Sequence, residues 1–144
     1  MTIISVRLNG WFITLVNSTG TNIGEKVLAT ATTIAGTVLF TTFSPVAGAS
    51  ANSCAPNQGV GTVFGASAID ASATDLFDTV PGGSGSSDPR VVTVLTRTGI
   101  PPEVTILFPP SDPGSPVGLV AAEPLQLTYP NNPVETYWYE QETQ

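Results

Sequence analysis

Few residues in this chain are able to do chemistry, and their types exclude most reaction classes. The sequence has 144 residues and no histidine. Serine–histidine–aspartate sites, cysteine–histidine sites and histidine-ligated zinc are therefore beyond what the chain can build alone. Its one cysteine, Cys54, lies among small neutral residues with no imidazole to activate it, whereas a reactive thiolate needs an electropositive setting. A single thiol forms no internal disulfide, so Cys54 reads as structural, as a thiol paired with another chain, or as without a role. With so few nitrogen and sulfur donors, no tightly bound transition metal and no cofactor are expected.

The carboxylates are more numerous and no more specific. Asp70, Asp75 and Asp78 supply the hard oxygens that calcium wants, but their spacing is not that of a calcium-binding loop, and solvated turns account for them more simply. Two carboxylates are the minimum for glycoside hydrolysis, and eleven acids always contain some pair. Without a spacing signature that carries no weight, and the chain is read as non-enzymatic. Asn17-Ser18-Thr19 matches a glycosylation acceptor but reads as an ordinary turn. Trp11, Phe12 and the cluster Tyr137, Trp138 and Tyr139 are the aromatic candidates for a contact surface. Packing of alternate residues into a core is the competing account; it is preferred for Trp11, and the two stand level for Tyr137, Trp138 and Tyr139.

The elements that must position these residues are strands. Fourteen glycines, thirteen prolines and an abundance of Thr, Val and Ser favour short strands and many turns, and no segment carries a convincing helical period. The centre of the reading is residues 27–43, two β-rich runs separated by Ala35-Gly36, a two-residue hairpin signal. Pairing Ile34 with Thr37 sets Thr33 against Val38, Thr32 against Leu39, Ala31 against Phe40, Thr30 against Thr41, Ala29 against Thr42 and Leu28 against Phe43. Phe40 and Phe43 are then expected to be buried on opposite faces. Residues 3–8 and 11–16 read as a second hairpin about Asn9-Gly10. Further strands are expected at 61–69, 90–96, 103–108, 117–121, 124–129 and 134–139, with 73–80 either strand or one short helical turn. The fold class is all-β, of short antiparallel strands. Residues 1–80 form one β segment, 81–89 a Gly/Ser/Pro surface linker, and 90–144 a second β segment with proline-rich turns.

Charge bounds the partners. The net charge is −7, with a pI near 4.1. Residues 1–69 hold Arg7 and Lys26 against Glu25, whereas residues 70–144 hold Arg90 and Arg97 against the other ten acids. Four basic residues cannot make a phosphate-neutralising stripe, so nucleic acid is not an expected partner, and anionic lipid is repelled. The most apolar window, residues 32–51, is broken by Gly36, Pro45 and Gly48, so no membrane span is expected. No basic region followed by a long apolar run opens the sequence, and a signal peptide is not visible.

One ordered set of motifs resembles a known family. Gly10-Trp11-Phe12-Ile13-Thr14-Leu15 is followed by Gly24-Glu25-Lys26-Val27-Leu28 and Phe40-Thr41-Thr42-Phe43-Ser44-Pro45. Cys54 comes next, then a strand ending in Ile69-Asp70-Ala71. The closing stretches 99–108 and 133–140 extend the likeness. This order resembles the C-terminal β-propeller of the PilY/PilC family of type IV pilus tip proteins, over about its last blade and tail. The resemblance implies a propeller-blade-like sheet and a role in pilus biogenesis or adhesion at the bacterial surface. Its implied partners are pilins, minor pilins, the remaining blades or copies of the chain. A blade has two faces to bury, so partner chains or a longer parent protein are expected. The alternative is a self-assembling extracellular filament or sheath subunit, joined through edge strands.

Overall fold

The β-branched runs either side of Ala35-Gly36 pair as expected for the three residue pairs next to the turn, and the rest of the fold is layered on them. A computed structural model describes residues 3–7, 10–17, 19–45, 59–74, 88–110 and 116–127. In chain order the strands are β1 (Ile3–Arg7), β2 (Gly10–Thr14), β3 (Lys26–Val27), β4 (Thr32–Ile34), β5 (Thr37–Ser44) and β6 (Val60–Ser67). They are followed by β7 (Val91–Thr98), β8 (Val104–Leu107), β9 (Val117–Val120) and β10 (Glu123–Gln126). Among the described residues there is no helix, and every strand pair is antiparallel. The protein is all-β.

The β4–β5 turn has Ala35 at φ 47 and Gly36 at φ 75, both left-handed, as a turn matched to strand twist requires. Ile34 faces Thr37, Thr33 faces Val38 and Thr32 faces Leu39, all three as the sequence predicts. Beyond them the register departs. Val27 pairs with Thr42 and Lys26 with Phe43, two residues out from the expected Ala29 and Leu28. Residues 28–31 therefore bulge from the edge opposite Phe40 and Thr41. The shifted register brings Glu25 to the Thr42 hydroxyl, which donates to Glu25 Oε1 at 2.6 Å; Thr42 is wholly buried, and a buried hydroxyl needs such a partner. Phe40 is buried, whereas Phe43 on the opposite face is only half-buried. At the foot of β5, Gly59 has φ +60, and a Cβ there would meet the Phe43 ring and lie 2.8 Å from the Ser44 carbonyl.

β5, β6 and β7 follow one another as a meander, with β3 and β4 sharing the free side of β5. β7 bulges twice against β6: three residues, Leu95 to Arg97, oppose Gly61 alone, and Val92 is extra between Val91 and Thr93. The second bulge switches which residues face which way. Val91 and Val94 lie on one face, Val92 and Leu95 on the other.

The two faces of this central sheet are covered differently. On one, Leu39, Val63, Val92 and Leu95 pack against Val104, Val120 and Leu125 of the β8–β9–β10 sheet. Leu39 and Val63 are fully buried there, and each such side chain contributes about 1.5–3 kcal/mol. The Thr32 hydroxyl donates to the Val104 carbonyl at 2.9 Å, and the Thr41 hydroxyl to that of Pro102 at 3.0 Å. On the other face Phe40, Phe64 and Val91 meet Ile13 and Leu15 of the β2 segment. Phe40 and Phe64 are cross-strand partners, stacked with centroids 5.3 Å apart. Three layers result, with the five-stranded sheet in the middle.

Candidate interaction surface

The layer of β1 and β2 holds the aromatic candidates that the structure describes. Arg7 pairs with Gly10 and Ile3 with Thr14, so Gly10 opens the strand rather than completing the turn the sequence suggested. Along β2 the burial alternates: Trp11 and Ile13 are half-buried, while Phe12 and Thr14 are exposed. The Trp11 indole N–H donates to the Ala68 carbonyl at 3.0 Å. Ala68 N–H in turn donates to the Gly36 carbonyl at 2.8 Å. Trp11 thus pins the hairpin to the turns at one end of the central sheet through its indole N–H. Phe12 turns outward.

Burial across this interface is incomplete. Trp11, Ile13, Leu15 and Val16 from the hairpin side are each half-buried, and so are Val38 and Val94 on the sheet facing them. The opposite face of the same sheet, under three strands, buries Leu39 and Val63 completely and has Ile34 and Ile106 half-buried against its core.

Among the described residues, Asp88, Arg90, Glu123 and Asp70 make contacts that hold local structure. Asp88 and Arg90 are both about 5% exposed and form a bidentate pair, Nε to Oδ1 at 2.8 Å and Nη2 to Oδ2 at 2.7 Å. Arg90 N–H also donates to Asp88 Oδ1, and the Asp88 carbonyl accepts from Val91 N–H. This pair starts β7; Asp88, in the stretch read from sequence as a surface linker, is buried. Glu123 accepts from the backbone N–H groups of Thr96 and Arg97 at 3.1 and 2.9 Å, and from the Thr96 hydroxyl at 2.9 Å. The Thr96 amide above all holds its carboxyl below the usual range, helped by the Arg97 amide and the Thr96 hydroxyl and opposed by burial. Those amides belong to the β7 bulge, so Glu123 satisfies donors that lie where the ladder is interrupted.

Asp70 lies in the exposed turn after β6, where its Oδ1 accepts from the Ser72 hydroxyl at 2.7 Å and the Ser72 N–H at 3.1 Å. The Ser72 hydroxyl, with Ser67 and the Ser72 amide behind it, lowers its pKa. Asp70 thus has the solvated-turn role; Asp75 and Asp78 lie outside the described residues. Asn17 Oδ1 accepts from Thr19 N–H, Thr19 Oγ1 and Thr21 N–H, so that side chain organises its own loop. Among the described residues no three His, Cys, Asp or Glu side chains gather as a metal-binding group. No helix among them is long and apolar enough to cross a membrane. Cys54, Tyr137, Trp138 and Tyr139 lie outside the described residues.

Comparison with protein-family models, with curated proteins and with solved structures finds no match to this chain.

Proposed function

We propose that this chain is a non-enzymatic structural and interaction module of a type IV pilus tip, working with partner chains or as part of a longer protein. The observation that carries the reading is the central sheet. β3 and β4 together make the first line of a four-line antiparallel meander through β5, β6 and β7, the strand count of a propeller blade. Both of its faces carry apolar side chains, covered within this chain by the β8–β9–β10 sheet on one side and by Ile13 and Leu15 on the other. The motif order described above, from Gly10 to the Ile69-Asp70-Ala71 turn, supplies the family.

The test is localisation on sheared pili from the producing bacterium, using gold-labelled antibody against the chain. Label confined to filament tips is expected. Label along the whole filament would replace this reading with a filament subunit, and no label on pili would end it. The purified chain is also expected to associate at micromolar concentration in sedimentation velocity. A sharp monomer boundary throughout would refute the partner requirement.

A further inference from the structure

The outer face of the β8–β9–β10 sheet is not built to meet water. Its inward side chains are Val104, Ile106, Val120 and Leu125, so the alternate positions of each strand turn away from the core. Those positions pair across the strands, Thr105 with Leu119, Leu119 with Pro124, and Leu107 with Val117. None of the five is charged, although residues 70–144 hold ten acids. Thr105, Leu107 and Pro124 are exposed, and Val117 and Leu119 are half-buried. An antiparallel sheet with one wet face normally alternates apolar with polar. Here both faces are apolar, and the carboxylate of β10, Glu123, is turned onto the Thr96 and Arg97 amides.

What the chain offers to cover this face is the stretch that leaves β10. The described residues reach Leu127, one past the end of β10 and buried, and residues 128–144 follow. They hold all three tyrosines and one of the two tryptophans. Pro130-Asn131-Asn132-Pro133 is a turn signal. The six residues 128–133 span up to about 20 Å, against the ~10 Å at which β layers stack. The other stretch bordering this sheet, 111–115 between β8 and β9, is Ser-Asp-Pro-Gly-Ser and has nothing large to bury. We infer that residues 134–139 fold back over this face as a strand, with Trp138 seated on Leu107, Val117 and Leu119. Alternation fixes the facing. Val134, Thr136 and Trp138 share one side, and Glu135, Tyr137 and Tyr139 the other. A carboxylate is not buried against Leu and Val without a partner, so the side with Glu135 faces outward. Trp138 then serves packing, while Tyr137 and Tyr139 are the exposed contact surface. A linker this short holds the segment at an effective concentration of about millimolar, which a free partner would have to outcompete. The inference does not depend on the pilus-tip reading.

The test is methyl NMR on the full chain, reading nuclear Overhauser contacts from the Trp138 ring. Contacts to the methyls of Leu107, Val117 and Leu119 within one molecule are expected. A sample mixed from labelled and unlabelled chains separates these from contacts between copies. Trp138→Ala should remove the ring-current shifts of those three residues. It should leave the Leu39 and Val63 methyls in place, which shows that the variant stays folded. Tyr137→Ala should leave all five nearly unchanged. Contacts found only between copies would give the face to a second molecule and overturn the inference. A Trp138 ring without contact to the face, or Tyr137 and Tyr139 packed there instead, would overturn it too. None of these outcomes bears on pilus-tip labelling, so the two readings fail separately.

Discussion

At the scale of residues, the strongest individual interactions join side chains that the sequence did not associate. Asp88 and Arg90 are two apart, bidentate and almost wholly buried. Removing one partner leaves a charge in a low-dielectric site, which costs about 3–5 kcal/mol, while replacing both by apolar groups is often near neutral. Asp88→Ala should accordingly lower unfolding free energy at neutral pH by about 3–5 kcal/mol, and Asp88→Leu combined with Arg90→Met by clearly less; chemical denaturation of both variants measures this. Glu123 predicts a pH effect of known sign. Its folded pKa lies below the ordinary glutamate range, so the folded state favours the carboxylate. That stabilisation is fully present above the unfolded pKa and is lost as pH falls through the folded one. The gap in stability between the natural chain and Glu123→Gln should be level above about pH 5 and shrink on acidification. It should be under about 1 kcal/mol, because the group is partly solvated. Neither contact was legible beforehand. Asp88-Pro89 looks like the end of a linker, and Glu123 meets Thr96 across a bulge that no local pattern announces.

At the scale of elements, local turn chemistry locates the Ala35-Gly36 reversal, while at Asn9-Gly10 it misses by one residue, since Gly10 already pairs with Arg7. A two-residue turn needs only its own chemistry, and Ala35-Gly36 announced both the turn and the three pairs next to it. The slip at β3 depends on Glu25 reaching Thr42, a contact between residues 17 apart that pairing rules do not contain. The β7 bulges escaped for the same reason. The turn still carries a local cost, since Ala35 holds φ 47 and an alanine in the left-handed region gives up about 1–2 kcal/mol. Asparagine tolerates that region and is favoured at this turn position. Ala35→Asn should therefore raise stability by about 0.5–1 kcal/mol and leave the Ile34–Thr37 pairing unchanged; thermal unfolding with amide shifts of the hairpin checks both. Loss of stability would mean that the turn is held in shape by its contact with Ala68 rather than by its own residues.

At the scale of the whole molecule, the two outer layers are held with unequal strength. The β8–β10 sheet shares a core with Leu39, Val63, Val92 and Leu95 and is further tied by the Thr32 and Thr41 hydroxyls. The β1–β2 layer is held by Ile13 and Leu15 on Phe40, Phe64 and Val91, and by the Trp11 indole on the Ala68 carbonyl. Its own inward residues remain half-buried. Opening it exposes Phe40, Phe64 and Val91, which already keep 4–8% of their surface exposed in the folded state, whereas opening the other interface exposes Leu39 and Val63, which are fully covered. Free energies of local opening follow that difference, from near zero for loosely packed elements to the global value for the core. Native-state amide exchange should therefore fall into two tiers. Amides of β1 and β2 should exchange at least about a hundredfold faster than those of β5 and β6. Amides of β8 and β9 should follow the slow group. Trp11→Phe, which keeps the ring and deletes the indole N–H, should speed β1 and β2 further and leave β5 and β6 unchanged. A single uniform tier across all three layers would show that the hairpin opens only when the whole protein unfolds.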